Sequence, residues 1–440
     1  MHRRRALVTL FTWPLMACQD ASVSPTTGPT PGPHPDGYID PNFQYGPISP
    51  YVRASNTGPW QTLAREHLDA SRAVQLAMIR WPGGNWGDEN DVTPLMVDEY
   101  IAMCRTVGAE PCIHVRLFGG SPERAAALVE YANVTQRYAV KYWAIGNEPD
   151  LFVKKRGAER YTVADYAADF ITYRSAMKAV DDSIVVMGPE ISQFDADEGY
   201  PVDSTGEPWL RGFLKRVTDL DMLSWHRYPF GATPVTLAQL RADPPRWQES
   251  VAKSRVLMRE YLGREVPLAI TEANSDWSGR VDATTGTNSY ANALWWSDVL
   301  ARLIAADCAI VAHFCMGAIQ AQGIGMFGPV SYNSDPLPIY QSYLLCQKLG
   351  TIRIHASSAH PDLFLLATRD DEGTIAVHAV NQSTADITMP LVIAGKSALQ
   401  AQVWRYRIDQ EVRDEGSIDL RQPVIWPAQS ATVLQIAGLG

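Results

Sequence analysis

A regular alternation of short apolar runs with longer helix-prone segments constrains the fold of this chain more than any other feature. A first strand is expected within Gln44–Ala54, and seven further runs have the length and apolar content of buried strands. Eight strand–helix alternations over about 300 residues are what a closed (β/α)8 barrel requires. An open doubly wound sheet is the competing topology, but no glycine-rich phosphate-binding turn follows the first strand. The seven further predicted strands are Ala77–Trp81, Pro111–Leu117, Val140–Glu148, Ile184–Glu190, Met222–Tyr228, Leu268–Asn274 and Ile310–Met316.

Helices are predicted in the segments between these strands, where apolar residues recur with a helical period. The longer ones are predicted at Thr93–Val107, Ser121–Asn133, Thr162–Val180, Trp247–Leu262 and Asn288–Ala306. Two shorter helices are predicted at Pro208–Val217 and Thr236–Arg241.

The pattern changes after Cys346, where short strands separated by turn signals follow one another without a helical period. This pattern is typical of an antiparallel β-sandwich. We therefore predict a barrel over residues 42–346 and a β-sandwich domain over residues 347–440, with Phe43–Ile48 as a further candidate strand of the second domain. The predicted strands of that domain are Thr351–Ala356, Leu363–Thr368, Thr374–Val380, Ile387–Ile393, Ala401–Tyr406 and Ala431–Ile436.

The N-terminus has the pattern of an export signal. Basic residues His2-Arg3-Arg4-Arg5 precede an apolar run that is too short to span a bilayer as a helix. The run ends in Leu15-Met16-Ala17-Cys18, which resembles a bacterial lipoprotein signal with Cys18 as the lipidated residue, although ordinary secretory cleavage nearby is the alternative. A signal over residues 1–18 and a Pro/Gly/Thr-rich linker over residues 19–41 predict an exported protein, held to a membrane only through that lipid anchor.

The charge and the cysteine content bear on nucleic acid, disulfide bonds and metal ions. A formal net charge of −10 argues against nucleic acid, because phosphate contacts need basic patches. Five cysteines follow Cys18, all in apolar helix or strand contexts, and we expect buried free thiols with at most one bridged pair. No cysteine or histidine spacing resembles a metal site, so neither a metal nor another cofactor is predicted.

The carboxyl ends of the predicted strands carry the candidate chemistry, since barrels of this kind collect their functional residues there. Glu148 ends one strand, directly after Asn147, and Glu272 ends another. Two carboxyl groups that face one cavity suit cleavage of a glycosidic bond, in which one protonates the leaving oxygen and the other attacks or activates water. Asn-Glu-Pro-Asp as a plain polar turn is the alternative interpretation of the first site.

Four ordered motifs resemble the strand ends of the retaining (β/α)8 glycoside hydrolases of clan A. The intervening stretches are most similar to α-L-arabinofuranosidases, which also pair a barrel with a C-terminal β-sandwich, and the resemblance covers most of residues 75–316. The motifs in this chain are Arg80-Trp81-Pro82-Gly83-Gly84-Asn85, Tyr142-Trp143-Ala144-Ile145-Gly146-Asn147-Glu148-Pro149, Ser224-Trp225-His226-Arg227-Tyr228-Pro229 and Ile270-Thr271-Glu272-Ala273-Asn274.

The resemblance implies a role for each matched residue. Glu148 is the implied acid/base and Glu272 the implied nucleophile, with Asn147 donating to the sugar 2-hydroxyl. Arg80 and Tyr228 are implied to keep Glu272 ionised and oriented, and the pKa of Glu148 is then expected to be the higher of the two carboxyl groups. A retaining outcome implies carboxyl groups about 5–5.5 Å apart.

Two departures from the arabinofuranosidase pattern concern the substrate. Pro149 after the Asn-Glu pair is more similar to β-xylosidases and heparanase-like β-glucuronidases of the same clan, and Trp86-Gly87-Asp88 replaces the usual loop after the Arg80 strand. The alternatives to an arabinofuranosidase are therefore a β-xylosidase, a β-glucuronidase or an endo-glycanase. A surface glycan-binding protein without turnover is the alternative from another class.

Further side chains near the strand ends are candidates for the substrate site. Asn85 belongs to the first motif. Trp81 and Trp277 are either sugar-stacking platforms or packing residues, and His226 is either a hydrogen-bonding site residue or a core histidine. Glu190 ends its strand as well; a polar loop residue is the expectation for it, with substrate binding as the alternative.

Overall fold

A computed structural model describes residues 25–26, 30–32, 34–61, 63–197, 201–231, 233–317, 325–327, 335–396 and 400–437. The predicted lipidation site Cys18 and the predicted signal lie outside these residues. No helix in the described ranges is both long and apolar enough to cross a bilayer. All five cysteines after Cys18 are buried and free of disulfide bonds, in agreement with the expectation of free thiols.

The chain first forms β1 (Gly37–Pro47) and then a closed barrel of eight parallel strands, which confirms the predicted (β/α)8 architecture. The barrel strands are β2 (Ala54–Asn56), β3 (Met78–Trp81), β4 (Glu110–Val115), β5 (Tyr142–Ile145), β6 (Val185–Ile191), β7 (Met222–Arg227), β8 (Leu268–Ala273) and β9 (Ile310–His313). The described helices are α1 (Arg65–Ala73), α2 (Trp86–Glu89), α3 (Pro94–Val107), α4 (Pro122–Val129), α5 (Phe152–Lys155), α6 (Val163–Val180), α7 (Trp209–Arg216), α8 (Leu237–Ala242), α9 (Pro244–Leu262), α10 (Tyr290–Ala305) and α11 (Tyr340–Cys346).

The first barrel strand lies outside most of the predicted window. The window Gln44–Ala54 shares only Ala54 with β2, whereas Gln44–Pro47 belongs to β1 in another sheet. The sequence Ala-Ser-Asn is too short and too polar to predict a strand, yet all three residues are buried. The polar side chains of Ser55 and Asn56 can be buried because Ser55 Oγ donates to the His313 carbonyl and Asn56 Nδ2 donates to the Thr271 carbonyl.

Side chains inside the barrel form two layers of different character. An apolar layer that includes Met78, Cys112, Ala144 and Ile310 fills the end at which the strands begin. Polar and charged side chains occupy the opposite end, at the carboxyl ends of the strands. The apolar layer therefore closes the floor beneath the polar residues, as is general for barrels of this kind.

Side-chain caps fix where several helices begin. The hydroxyls of Thr93, Ser121, Thr162 and Ser289 each accept a hydrogen bond from the backbone N–H three residues further on. The glycine Gly108 ends α3 with φ of 84°, a conformation that glycine adopts without steric cost.

The C-terminal part is rich in antiparallel strands, as predicted, and its sheet also contains β1. Eight strands pair in the order β14-β1-β10-β11-β12-β18-β15-β16, and β13 pairs with β17 alone. The boundary predicted between residues 41 and 42 therefore falls inside β1, which pairs with β10 and β14. The strands are β10 (Ile352–Ser357), β11 (Leu363–Arg369), β12 (Ile375–Asn381), β13 (Ile387–Met389), β14 (Leu391–Ile393), β15 (Gln400–Arg407), β16 (Gln410–Asp419), β17 (Val424–Trp426) and β18 (Ser430–Ile436).

Strand β12 shows how this sheet joins the barrel. Its residues Ile375 and Val377 lie in the core of the C-terminal domain, together with Trp426 of β17. The alternate residues Ala376 and Val380 pack in a cluster with apolar residues of α10 and α11. Both faces of the strand are buried, so the C-terminal domain is fixed against the barrel helices.

Candidate active site

The carboxyl ends of the barrel strands bring the two predicted catalytic carboxylates together. Glu148 follows β5 and Glu272 lies on β8, and the two residues are only 8% and 3% exposed. One oxygen of each carboxylate and Nδ1 of His226 all lie within 4.8 Å of one another. The two carboxylates are therefore close enough to act on one glycosidic bond.

Backbone conformation at the end of β5 aims Glu148 into the barrel mouth. Gly146 has φ of 74°, and a Cβ there would come within 2.9 Å of Leu117. Glu148 itself adopts φ of 49°, a left-handed conformation that costs about 1–3 kcal/mol in a residue with a side chain. The Glu148 N–H donates to the Glu190 carbonyl at 2.9 Å, which holds this conformation.

Glu272 is held by three donors. Its Oε1 accepts from Arg80 Nη1 at 2.9 Å and from the Gly84 N–H at 3.0 Å, while Oε2 accepts from the Tyr228 hydroxyl at 2.8 Å. Burial and the neighbouring carboxylates raise the pKa of Tyr228 well above its usual value, so its hydroxyl remains a donor. A charged carboxylate in fixed orientation is what a nucleophile requires.

Arg80 organises the cluster from the end of β3. Its side chain is buried, and its two terminal nitrogens donate to Glu272, Glu190, Asn147 and Asn56 over 2.7–3.0 Å. Nearby Glu190 and Glu272 offset the cost of burial and raise the pKa of Arg80 further, so it stays charged. The planar fork of a guanidinium can reach several acceptors at once, whereas a lysine ammonium cannot.

Glu148 has charged neighbours that the sequence does not reveal. Burial raises the pKa of Glu148, but a hydrogen bond with His226 and the charges of His226, Lys155 and Arg80 lower it more, so the pKa is lowered overall. His226 Nδ1 lies 3.3 Å from Glu148 Oε1, and Lys155 Nζ lies 3.7 Å from Oε2.

His226 is a site residue and not a core histidine. Its Nδ1 faces Glu148 at 3.3 Å and Glu272 at 3.6 Å, and its Nε2 lies 3.3 Å from Glu190 Oε2. Burial lowers the pKa of His226, but the three carboxylates raise it to about 10. One side-chain atom each of Glu148, His226 and Glu272 lies close enough to the others to bind a cation. However, His226 already contacts both carboxylates, and the cations of Arg80 and Lys155 lie beside them. We therefore assign proton chemistry and no metal ion to them.

Glu190 was expected to be a polar loop residue, and the structure corrects this. It lies on β6, is fully buried, and accepts from Arg80 at 2.7 Å and from the Thr271 hydroxyl at 2.9 Å. Burial raises its pKa, but the Arg80 charge and His226 lower it to about 2. Its position at the end of a barrel strand is the sequence feature that indicates a site residue.

Asp88 is a positioning residue that sequence reasoning missed. Its carboxylate accepts from the N–H groups of Leu117 and Asn147, both at 2.7 Å, and from that of Phe118 at 3.4 Å. Asp88 thus ties α2 to the ends of β4 and β5. Nothing in its local sequence points to this role, because the donors it satisfies are backbone N–H groups far along the chain.

Asn85 and Asn147 lie in the cluster as predicted. Asn147 Oδ1 accepts from Arg80 at 3.0 Å, and its Nδ2 donates to Asn85 Oδ1 at 3.4 Å. Arg156 Nη2 donates to the same Asn85 oxygen at 2.9 Å.

Trp81 is a packing residue and not a sugar platform, the second of the two predicted alternatives. It is 4% exposed and stacks on Tyr100 of α3, with ring centroids 4.8 Å apart. Successive side chains of a strand point to opposite faces, so Arg80 points into the barrel and Trp81 points outward to the helices.

A cleft of about 410 Å³ opens beside Glu148. Tyr228, Phe230 and Trp277 line it, and Trp277 is 59% exposed, which suits stacking on a sugar ring. Lys154 and Lys155 line the same cleft and give it positive charge in a chain of negative net charge.

The closed barrel and its pair of carboxylates resemble those of the (β/α)8 glycoside hydrolases of clan A. Comparison with known proteins confirms the predicted resemblance to that class, although no protein-family model matches the chain. The chain is 26% identical to an α-L-arabinofuranosidase C of Emericella nidulans over 201 residues, which are 34% of this chain and 39% of that enzyme. It is 29% identical to a β-glucuronidase of Aspergillus niger over 172 residues, which are 36% of this chain and 31% of that enzyme. The chain thus spans less than half the length of these curated relatives.

Among solved structures, the α-L-arabinofuranosidase of Thermotoga maritima in complex with arabinose is similar over the whole fold. The match has a TM-score of 0.74 and 17% sequence identity, and it covers 91% of this chain and 99% of that one. At this identity the likeness concerns the fold, a barrel with a β-rich C-terminal domain.

Proposed function

We propose that this protein is a retaining glycoside hydrolase that cleaves O-glycosidic bonds of an oligosaccharide or polysaccharide by double displacement. The observation that carries the proposal is the pair of buried carboxylates, Glu148 and Glu272, with oxygens within 4.8 Å and different hydrogen-bond partners. Glu272 acts as the nucleophile, and Glu148 acts first as the acid and then as the base.

In the first half-reaction an oxygen of Glu272 bonds to the anomeric carbon while the bond from that carbon to the leaving oxygen breaks. Glu148 gives a proton to the leaving oxygen. We assign the attack to Glu272 Oε2, because Oε1 already accepts from both Arg80 and Gly84 whereas Oε2 accepts from Tyr228 alone. We assign to Asn147, beside Glu148, the donation to the sugar 2-hydroxyl that the family resemblance implies.

In the second half-reaction Glu148 takes a proton from water, and the water oxygen replaces Glu272 at the anomeric carbon. The carboxylate of Glu272 is regenerated and the sugar leaves with its original anomeric configuration. Arg80 and Tyr228 stabilise the carboxylate charge that disappears and returns during the cycle.

An arabinofuranosyl unit is the substrate that the relatives favour. The fold matches an α-L-arabinofuranosidase over nearly its whole length, and a curated α-L-arabinofuranosidase C matches in sequence over 201 residues. The bifunctional glucanase-xylanase CelM2 shares the fold as well, with a TM-score of 0.71, so an endo-glycanase is a further candidate.

A β-glucuronidase is the second candidate, and a specific observation favours it. Lys154 and Lys155 line the cleft beside Glu148, and a lysine ammonium suits a uronate carboxylate. A curated β-glucuronidase is also among the sequence relatives. If this candidate is correct, Lys154→Ala raises KM for a β-D-glucuronide and leaves any arabinofuranosidase activity unchanged.

The test is a screen of the purified protein against aryl glycosides: α-L-arabinofuranoside, β-D-xyloside, β-D-glucuronide and β-D-glucoside. We expect release from one of them that disappears in Glu272→Ala and persists in a control, Glu123→Ala, whose side chain is exposed on α4. If the wild type cleaves neither these glycosides nor polysaccharides, the proposal fails in favour of the glycan-binding alternative.

A further inference from the structure

The Glu190 side chain touches two members of the catalytic cluster, Arg80 and His226, and is fully buried. Its Oε2 lies 2.7 Å from Arg80 Nη2 and 3.3 Å from His226 Nε2, and its Oε1 accepts from the Thr271 hydroxyl. Its backbone is left-handed, with φ of 55°. A buried acid in an unfavourable backbone conformation, directed at a histidine, is a feature that packing alone does not explain.

The contacts of Glu190 determine which protons His226 carries. Arg80 and Thr271 donate to Glu190, so this carboxylate is charged and can only accept from Nε2 of His226. Nε2 therefore carries a hydrogen. On the other side of the ring, Nδ1 and Glu148 Oε1 lie 3.3 Å apart and must share one hydrogen between them, since two unprotonated acceptors would repel.

We propose that Glu190 is a positioning residue that fixes His226 as the proton partner of Glu148, so that the His226–Glu148 pair stores the single proton delivered to the leaving oxygen. This inference rests on the proposed function for its catalytic consequence, but the proton arrangement itself does not depend on the substrate. It also accounts for how Glu148 can serve as an acid although its neighbours favour its charged form.

The proton count balances over the cycle. In the first half-reaction the pair loses its proton, through Glu148, to the leaving oxygen as the glycosidic bond breaks and Glu272 bonds to the anomeric carbon. His226 is then neutral, with its hydrogen on Nε2. In the second half-reaction water gives a proton to the pair as its oxygen displaces Glu272, and the resting state returns.

The surroundings of His226 support a protonated ring at rest. Carboxylates outnumber the cations that face it, and together they raise the pKa of His226 to about 10 against the opposing effect of burial. The charged and titratable groups around the ring are Glu148, Lys155, Glu190, Glu272, Arg80, His114 and Tyr228.

The test is the pH profile of Glu190→Gln, measured on the aryl glycoside that the screen identifies. Loss of the negative charge lowers the pKa of His226, so the pair loses its proton at lower pH. We expect the basic limb of kcat/KM to move down by at least about one pH unit, a tenfold loss at alkaline pH. KM should change little, because the Glu190 side chain is fully buried. Glu190→Asp keeps the charge and should keep the limb near its wild-type position.

A matched control separates this effect from damage to the fold. Asp298→Asn also removes a buried carboxylate from an arginine, Arg302, but on α10 and away from the site. It should lower the melting temperature without moving the basic limb. If the Glu190→Gln variant is folded and the basic limb of its kcat/KM profile lies at the same pH as that of the wild type, the inference is overturned.

A second measurement does not need turnover. Nuclear magnetic resonance of imidazole-labelled protein follows the titration of His226, assigned by the signal that His226→Gln lacks. We expect a pKa well above 6.5 in the wild type and a clear decrease in Glu190→Gln. An unchanged titration contradicts the inference even if no glycoside is cleaved, whereas a decrease without any glycosidase activity overturns the proposed function alone.

Discussion

At the scale of single residues, the two catalytic carboxylates are chemically alike and differ through their neighbours. Glu272 accepts from Arg80, Gly84 and Tyr228, which fix its orientation, while Glu148 Oε1 lies 3.3 Å from Nδ1 of His226. The structure thus supplies separate environments for a nucleophile and for a proton carrier.

Glu148→Ala tests the proton-carrier role. Protonation matters little for an activated aryl leaving group, so we expect a loss of about 10²–10⁴-fold on an alkyl or sugar leaving group and a much smaller loss on a dinitrophenyl glycoside in the first half-reaction. Single-turnover rates on the two kinds of substrate measure this difference. Equal losses on both would count against the acid role.

Arg80→Lys tests whether charge alone suffices beneath the site. A lysine keeps the charge but cannot span Glu190, Glu272 and Asn147, so these groups should shift and kcat should fall by about 10²-fold or more. Arg302→Lys, at a buried pair on α10, is the matched control and should keep wild-type kcat. Activity of Arg80→Lys within twofold of the wild type would refute the assignment.

At the scale of elements, Asp88 connects α2 with the loops that follow β4 and β5. Asp88→Asn places an amide donor against a backbone N–H, at a cost of about 1–3 kcal/mol, and should displace Asn147 and Glu148. We expect a lower melting temperature and a kcat reduced by about 10²-fold. Calorimetry together with kinetics checks both, and a variant with full activity at reduced stability would show that Asp88 is structural only.

Strand ends are the elements that the sequence predicts best. Apolar runs followed by Arg80, Glu148, His226 and Glu272 identify both the barrel and its polar edge, because burial on both faces of a parallel strand leaves a continuous apolar signal. Strand β2 is missed because its three residues, small or polar, carry no such signal. The charged strand β16 is missed because it is an exposed edge strand.

Contacts between distant elements account for what the sequence does not predict at the site. The roles of Glu190 and Asp88 depend on His226 and on backbone N–H groups contributed by other strands. The lowered pKa of Glu148 depends likewise on the position of His226. None of these contacts has a fixed spacing in the chain, so no local motif encodes them.

At the scale of the whole molecule, β1 links the start of the described chain to the C-terminal sheet. It lies between β10 and β14, and its residue Ile39 is fully buried in that domain's core. A chain that begins at residue 34 should therefore melt like the full chain, whereas one that begins at residue 48 loses a central strand and should melt lower or aggregate. Equal melting temperatures for the two would contradict the strand's structural role.

The central claim is double displacement through Glu272, and the stereochemistry of transfer tests it most directly. The enzyme is incubated with its aryl glycoside in the presence of methanol, and the anomeric configuration of the methyl glycoside is read by proton nuclear magnetic resonance. We predict a methyl glycoside with the configuration of the substrate, because two inversions at the anomeric carbon give net retention. A product of opposite configuration would contradict the account and point to a single displacement by an activated acceptor.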